Sequence, residues 1–278
     1  MDRKRIAEAV ERMLQKAVNE LPPDSVEALR EAEKKEKNPV AKEQLKTILK
    51  NIGLAKGKKV PMCQDTGTLT FYVKGKEGLK EAREGIEEGV RKATETVPLR
   101  PNSVHPITRK TEGNQPIINF EYADSECMEI SVIPKGAGCE NMSSLVMLSP
   151  SDGTKGIVAS VLKVIAEKGR NACPPLVVGI GMGGTSEEAM QLAKKTLLVP
   201  LNEKNPDALA ESLEKELLKK INELEIGTMG LGGSTTAIAV KIALRPTHTA
   251  SLPVAINLQC WANRKATVRI CGERVELL

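Results

Sequence analysis

Apolar residues recur every three or four positions across residues 3–17, 24–36 and 40–55, which predicts three amphipathic helices. Asn38 supplies an N-cap for the third, and Pro39 occupies its first position, where a missing N–H costs nothing. Residues 1–56 therefore read as a helical block. The period then changes. LTFYV opens a strand at 69–74, a helical pattern covers 78–95, and strands follow around 117–120 and 127–134. Residues 155–168 are helical again, PPLVVGI is a short buried-strand candidate, and SEEAMQLAKKTLL is helical, with Thr185 and Glu188 spaced as a capping box. A charged helix spans 206–224, TAIAVKIAL is strand-like, and ATVRICGERVEL alternates around Cys271 and Gly272 as a closing hairpin. Strands and helices interleave without regular βαβ units. The expectation is an α+β fold, a helical N-terminal part followed by mixed β-sheet regions with packed helices over 57–278, forming one unit over 1–278 and not a doubly wound Rossmann fold.

Composition narrows the function classes. With 278 residues, 40% hydrophobic and 28% charged, the chain can bury a substantial core. Its net charge of +5 is spread along helical segments, and it holds only one Trp, two Tyr and two Phe. Nucleic-acid binding calls for a basic stripe with stacking aromatics, so a small anionic substrate fits better, with no nucleic acid as partner. The N-terminus, MDRKRIAEAVERMLQ, lacks the apolar stretch of a secretion signal, and no run approaches the length of a membrane span. These features predict a cytoplasmic protein without membrane contact. In a reducing compartment its six cysteines are expected to serve packing, catalysis or metal ligation, not structural disulfides.

Three of those cysteines share a context. Cys63 sits in PMCQDTGT, Cys173 in NACPPLVVGIGMGG and Cys260 in NLQCWANR, each where an apolar segment meets a turn or a proline pair. A turn cysteine can also be simple packing, but Asp65, Thr66 and Gly67 favour a loop tip with reachable side chains. Their wide separation in the chain rules out a local metal finger. Three thiolates without a fourth are what a four-iron, four-sulfur (4Fe-4S) cluster needs if one iron is to stay open to substrate. Cys127 and Cys271 lie in strand-like segments and read as packing residues, and His105 as structural. Two other classes compete. Gly179, Gly181 and Gly184 satisfy GxGxxG after an apolar strand, with Glu203 at a ribose-contact distance, as in a dinucleotide-binding oxidoreductase; the segment after them is a poor second strand. A non-catalytic metal-binding or assembly protein is the other.

PMCQDTGT, KGAGCENMS, CPPLVVGIGMGGTS, RPTH and LQCWANR, in that order, resemble the alpha subunit of the two-subunit class I fumarate hydratases and the related L(+)-tartrate dehydratases, from about residue 40 onward. The resemblance implies an iron–sulfur hydro-lyase that hydrates fumarate reversibly to L-malate, or alternatively an L(+)-tartrate dehydratase. It also implies a separate beta subunit, giving a heterodimer or heterotetramer, because single-chain relatives continue into a further domain where this chain ends at Leu278. By the same resemblance Cys63, Cys173 and Cys260 are cluster ligands. Gln64 and Asp65 are a substrate-contacting pair, with Asp65 the candidate base for the C3 proton. Arg100 binds a substrate carboxylate, Gly138 lines the pocket, and His248 stands near the open iron. Arg264, beside Cys260, is a local candidate for a second carboxylate clamp. Cys139 stands where many relatives have serine and reads as a pocket-wall substitution.

Overall fold

The structure, a computed structural model, describes residues 2–278, in which α-helices and β-strands form two compact units. One unit comprises residues up to Pro22, Asn51–Ala137 and Arg264–Leu278; the other comprises Pro23–Lys50 and Gly138–Asn263. The predicted N-terminal helices form as α1 (Arg3–Asn19), α2 (Pro23–Lys35) and α3 (Pro39–Lys58). Asn38 Oδ1 accepts from the amides of Val40 and Ala41, so the cap read from the sequence operates.

In the first unit, β1 (Thr68–Gly75), α4 (Leu79–Thr96), the short pair β2 (Ser103–Val104) and β3 (Thr111–Gly113), β4 (Ile117–Tyr122) and β5 (Cys127–Lys135) follow in order. The closing hairpin, β10 (Ala266–Cys271) and β11 (Arg274–Leu277), completes a five-stranded sheet ordered β11-β10-β5-β1-β4. Its core sets Ile6, Val10, Met13 and Leu14 of α1 and Ile86 and Val90 of α4 against Phe71, Val73, Ile130, Val132, Val268 and Ile270. Burying these side chains drives this layer together, at roughly 1.5–3 kcal/mol for each large one.

The second unit contains all but the first residue of α5 (Ala137–Glu140), then β6 (Ser144–Leu148), α6 (Gly153–Lys168), β7 (Leu176–Gly184), α7 (Ser186–Lys195), α8 (Ala208–Asn222), β8 (Ala237–Thr247) and β9 (Leu252–Gln259). The sheet order is β6-β9-β7-β8, with β7 parallel to β8 and antiparallel to β9. Val161 and Ile165 of α6 and Leu213, Leu217 and Ile221 of α8 share a core with Val178, Ile180, Ile256 and Leu258. Ala189 and Ala193 of α7 pack with Ala255 of β9.

Two expectations are corrected. Cys127 and Cys271 form a disulfide, because they are register partners across antiparallel β5 and β10 with Cα atoms 4.3 Å apart. A cysteine's redox compartment says nothing of which strand position it faces. Thr185 caps α7 without a side-chain bond; the Glu188 carboxylate lies instead 3.3 Å from Arg245 Nε. The GxGxxG glycines, by contrast, lie within β7 and form no phosphate loop, in keeping with the expectation that the fold is not doubly wound. A Cβ at Gly179 would come within 2.2 Å of the Ala193 carbonyl, and one at Gly181 within 2.2 Å of the Ala189 carbonyl, so these positions let α7 lie close on β7.

Candidate functional site

The PMCQDTGT turn in the first unit is anchored before its functional residues begin. The amide of Met62 donates to Val18 O at 3.0 Å, and Asn51 Nδ2 donates to Met62 O at 2.8 Å. Cys63 is half-buried, and its thiol lies 3.6 Å from Gln64 Oε1. Gln64 is exposed. Gly67 takes φ +89°, and a Cβ there would come within 2.6 Å of Lys135 N, so only glycine lets the turn close against the end of β5. Thr66 ties in a second loop: its hydroxyl accepts from the amide of Arg100 at 2.9 Å, leaving the Arg100 side chain exposed.

Asp65 is held at three points. Oδ1 accepts from Gly67 N at 3.0 Å, an Asx turn, and Oδ2 accepts from Ala137 N at 2.8 Å. Its own carbonyl accepts from Arg264 Nη1 at 2.9 Å. Each carboxylate oxygen keeps a lone pair beyond these bonds. Arg264 is 1% exposed, so it is no surface clamp for a substrate carboxylate. Nothing in the sequence signals that burial; the nearest cue is its position two residues before β10.

In the second unit, three of the sequence-flagged stretches meet at one end of the sheet. Cys173 is exposed, adopts φ +53° and precedes a cis peptide bond between Pro174 and Pro175. Cys260 is half-buried and directly follows β9, whose Gln259 pairs with Val177 of β7. The amide of Trp261 donates to Cys173 O at 3.3 Å. Gly138 is exposed, and a Cβ on it would lie 3.5 Å from Asn171 O; the neighbouring Cys139 is buried with its thiol on Ala172 O at 3.5 Å. His248 is not brought to this end. It occupies the turn from β8 to β9, exposed, with Nδ1 accepting from Ala250 N at 3.1 Å. The length of β9, roughly 25 Å at about 3.3 Å per residue, separates it from Cys260.

Among the described residues, no group of three or more His, Cys, Asp or Glu side chains is gathered tightly enough to hold a metal ion. The donor chemistry nonetheless suits an iron–sulfur cluster. Cys63, Cys173 and Cys260 lie outside the disulfide, sit on loops and retain solvent access, whereas Cys139 is buried against a carbonyl.

Comparison with known proteins bears on what these loops serve. The sequence profile described as "Fumarate hydratase (Fumerase)" matches residues 7–269. The chain belongs to the fumarate hydratase family. The family match takes in α1 and α2 as well as the motif-bearing loops, more of the chain than the motifs alone indicated. Within the fumarate hydratase family, the chain is 50% identical to the "Putative L(+)-tartrate dehydratase subunit alpha" of Methanocaldococcus jannaschii, over 96% of this chain and 98% of the relative. It is 32% identical to the L(+)-tartrate dehydratase subunit alpha of Escherichia coli strain UTI89, over 90% of this chain and 86% of that one. The subunit of that name from Escherichia coli K12 is 31% identical over the same shares.

Proposed function

We propose that this chain is the alpha subunit of a cytoplasmic, two-subunit iron–sulfur hydro-lyase that eliminates water from a four-carbon hydroxy-dicarboxylate, with L(+)-tartrate as its substrate. The observation that carries the choice of substrate is the 50% identity, over nearly the whole of both chains, to a relative bearing that name. Fumarate, the first expectation from the motifs, becomes the second reading; the family description favours it.

The chemistry is common to both. Loss of one hydroxyl from C2 and the proton from C3 converts tartrate to the enol of oxaloacetate, and malate to fumarate. When bound by Cys63, Cys173 and Cys260, a four-iron, four-sulfur cluster supplies a Lewis acid for the departing hydroxyl. Asp65 takes the C3 proton on a carboxylate oxygen whose direction is already fixed by Gly67 N or Ala137 N. The exposed guanidinium of Arg100 receives the distal carboxylate in bidentate fashion, which sets the carbon presented to the base. Gln64 offers an exposed amide to the substrate hydroxyls, and the main chain at Gly138 offers contact without a side chain in the way. His248, at the far end of its own sheet, receives no role in the site of the chain that carries it.

The test is coexpression with the beta subunit and anaerobic assay on L(+)-tartrate, L-malate and fumarate. The expected result is a kcat/KM for tartrate at least about tenfold above the others, which is roughly 1.4 kcal/mol of transition-state discrimination. A preference of that size for fumarate or malate instead selects the second reading.

A further inference from the structure

Arg264 heads the largest fully buried side chains of the protein and is 1% exposed. Taking a guanidinium out of water is expensive, and its retention calls for a compensating use. What the guanidinium contacts is specific. Nη1 donates to the carbonyl oxygen of Asp65 at 2.9 Å. Nη2 lies 3.8 Å from the point a Cβ on Gly136 would occupy, and Asp65 Oδ2 lies 3.1 Å from that same point. The cation and the carboxylate thus both lie beside one glycine, whose missing side chain leaves room for both. Nε is buried without a hydrogen-bond partner, a cost that a side chain kept only for packing has no reason to carry.

We propose that Arg264 is a positioning residue for Asp65. It holds the main chain of the aspartate from inside the protein while Gly67 N and Ala137 N hold its two carboxylate oxygens, so that the base meets the C3 proton without reorganising. Arg264 touches no substrate in this arrangement. The proposal rests on the reading of Asp65 as the proton acceptor. Lysine would keep the charge but lose the planar fork that reaches both the carbonyl and the Gly136 side.

The experiment is a double-mutant cycle on the assembled, cluster-loaded two-subunit enzyme, with Arg264→Lys, Asp65→Asn and the pair, reading kcat, KM, iron content and thermal unfolding. Arg264→Lys is expected to lower kcat by roughly 10- to 100-fold, the cost of a misplacement of about 1 Å, with KM and iron per protein little changed. In the Asp65→Asn background the same change is expected to cost nothing further, because its effect passes through the missing carboxylate. An unchanged kcat in Arg264→Lys, or effects that multiply in the double variant, overturns the proposal. Should Arg264→Lys lose its iron or fail to fold, Gly136→Ala replaces it in the cycle. Its Cβ would press on Asp65 Oδ2 at 3.1 Å, and it is expected to show the same loss of kcat and the same masking by Asp65→Asn; full activity in Gly136→Ala overturns the proposal. Wild-type kcat in Asp65→Asn alone is a different result, and it removes the reading of Asp65 as base.

Discussion

The amide of Trp261 donates to the carbonyl oxygen of Cys173 across 3.3 Å, so the loop that carries Cys260 and the loop that carries Cys173 are bound to each other at one end of the second sheet. The pairing of Val177 with Gln259 brings both strand ends there. Cys139, two positions beyond α5's first residue, is close by but turned inward to Ala172 O.

From this arrangement, Cys173→Ser and Cys260→Ser are each expected to abolish cluster binding in anaerobically prepared protein, as is Cys63→Ser. Cys139→Ser, Cys127→Ser and Cys271→Ser are expected to retain it. Iron and acid-labile sulfide assays on the six variants decide the matter. Full loss of iron in Cys139→Ser would mean that the buried thiol is a ligand.

The disulfide makes its own prediction. Protein unfolded without reductant should alkylate at four of its six cysteines, and at all six once reduced. Because the bridge closes a loop with a sequence separation of 144, its loss in Cys271→Ser is expected to cost about 2–4 kcal/mol of stability, measured by chemical denaturation. Alkylation of six thiols in unreduced protein would show that the bridge does not form.

How much of this was legible in the chain depended on whether the determining interaction was local. The helices α1 to α4 are written in a 3.6-residue apolar period, and Asn38 and Pro39 mark the start of α3 by chemistry confined to one turn. β9 was missed because LPVAINLQ carries Pro253, and because Asn257 and Gln259 are fully buried where alternation leads one to expect an apolar or a solvated residue. Whether Cys127 faces Cys271 is a question of strand register, which no local pattern encodes, and the separation of His248 from Cys260 follows from β9, the strand between them. The three loop cysteines were legible by context. The burial of Arg264 and the role of Gly136 beside Asp65 were not, since both follow from which segments pack against the turn.

Glu36 offers a pH-dependent test of the second unit. It is buried; its Oε1 accepts from the amides of Lys37 and Asn38, and Oε2 from the amide and hydroxyl of Ser234. Burial pushes its carboxyl up, but the bonds from Asn38, Ser234 and Lys37 outweigh that, and the net effect lies below the ordinary value of 4.5. A carboxyl depressed on folding adds stability at pH values above its unfolded value and gives it up as pH falls through the folded one. Glu36→Gln sets an amide donor against donors, and is expected to cost about 1–3 kcal/mol at neutral pH. The gap to wild type should narrow as pH falls below 4.5. Urea denaturation at pH 7 and at lower pH measures it, and a gap independent of pH would mean that the ionised form is not what stabilises the Ser234 loop.

The last prediction concerns what this chain can do without a partner. Of its two arginines read as carboxylate clamps, only Arg100 presents its guanidinium to solvent; Arg264 is buried and spends Nη1 on the Asp65 carbonyl. A dicarboxylate has two anionic ends, and one held at a single end keeps most of the rotational freedom that enzymes remove to reach their rates. The proposed cluster ligands, by contrast, all lie on this chain. The purified chain, loaded anaerobically, is therefore expected to carry iron and sulfide yet turn over at no more than about 1% of the rate of the two-subunit complex, the scale of effect that misplaced substrate produces. In the complex, Arg100→Ala should raise KM by roughly 10- to 100-fold without altering iron content, the signature of a group that binds substrate and does not build the cluster. Comparable turnover by the isolated chain would show that its own residues clamp both ends of the substrate.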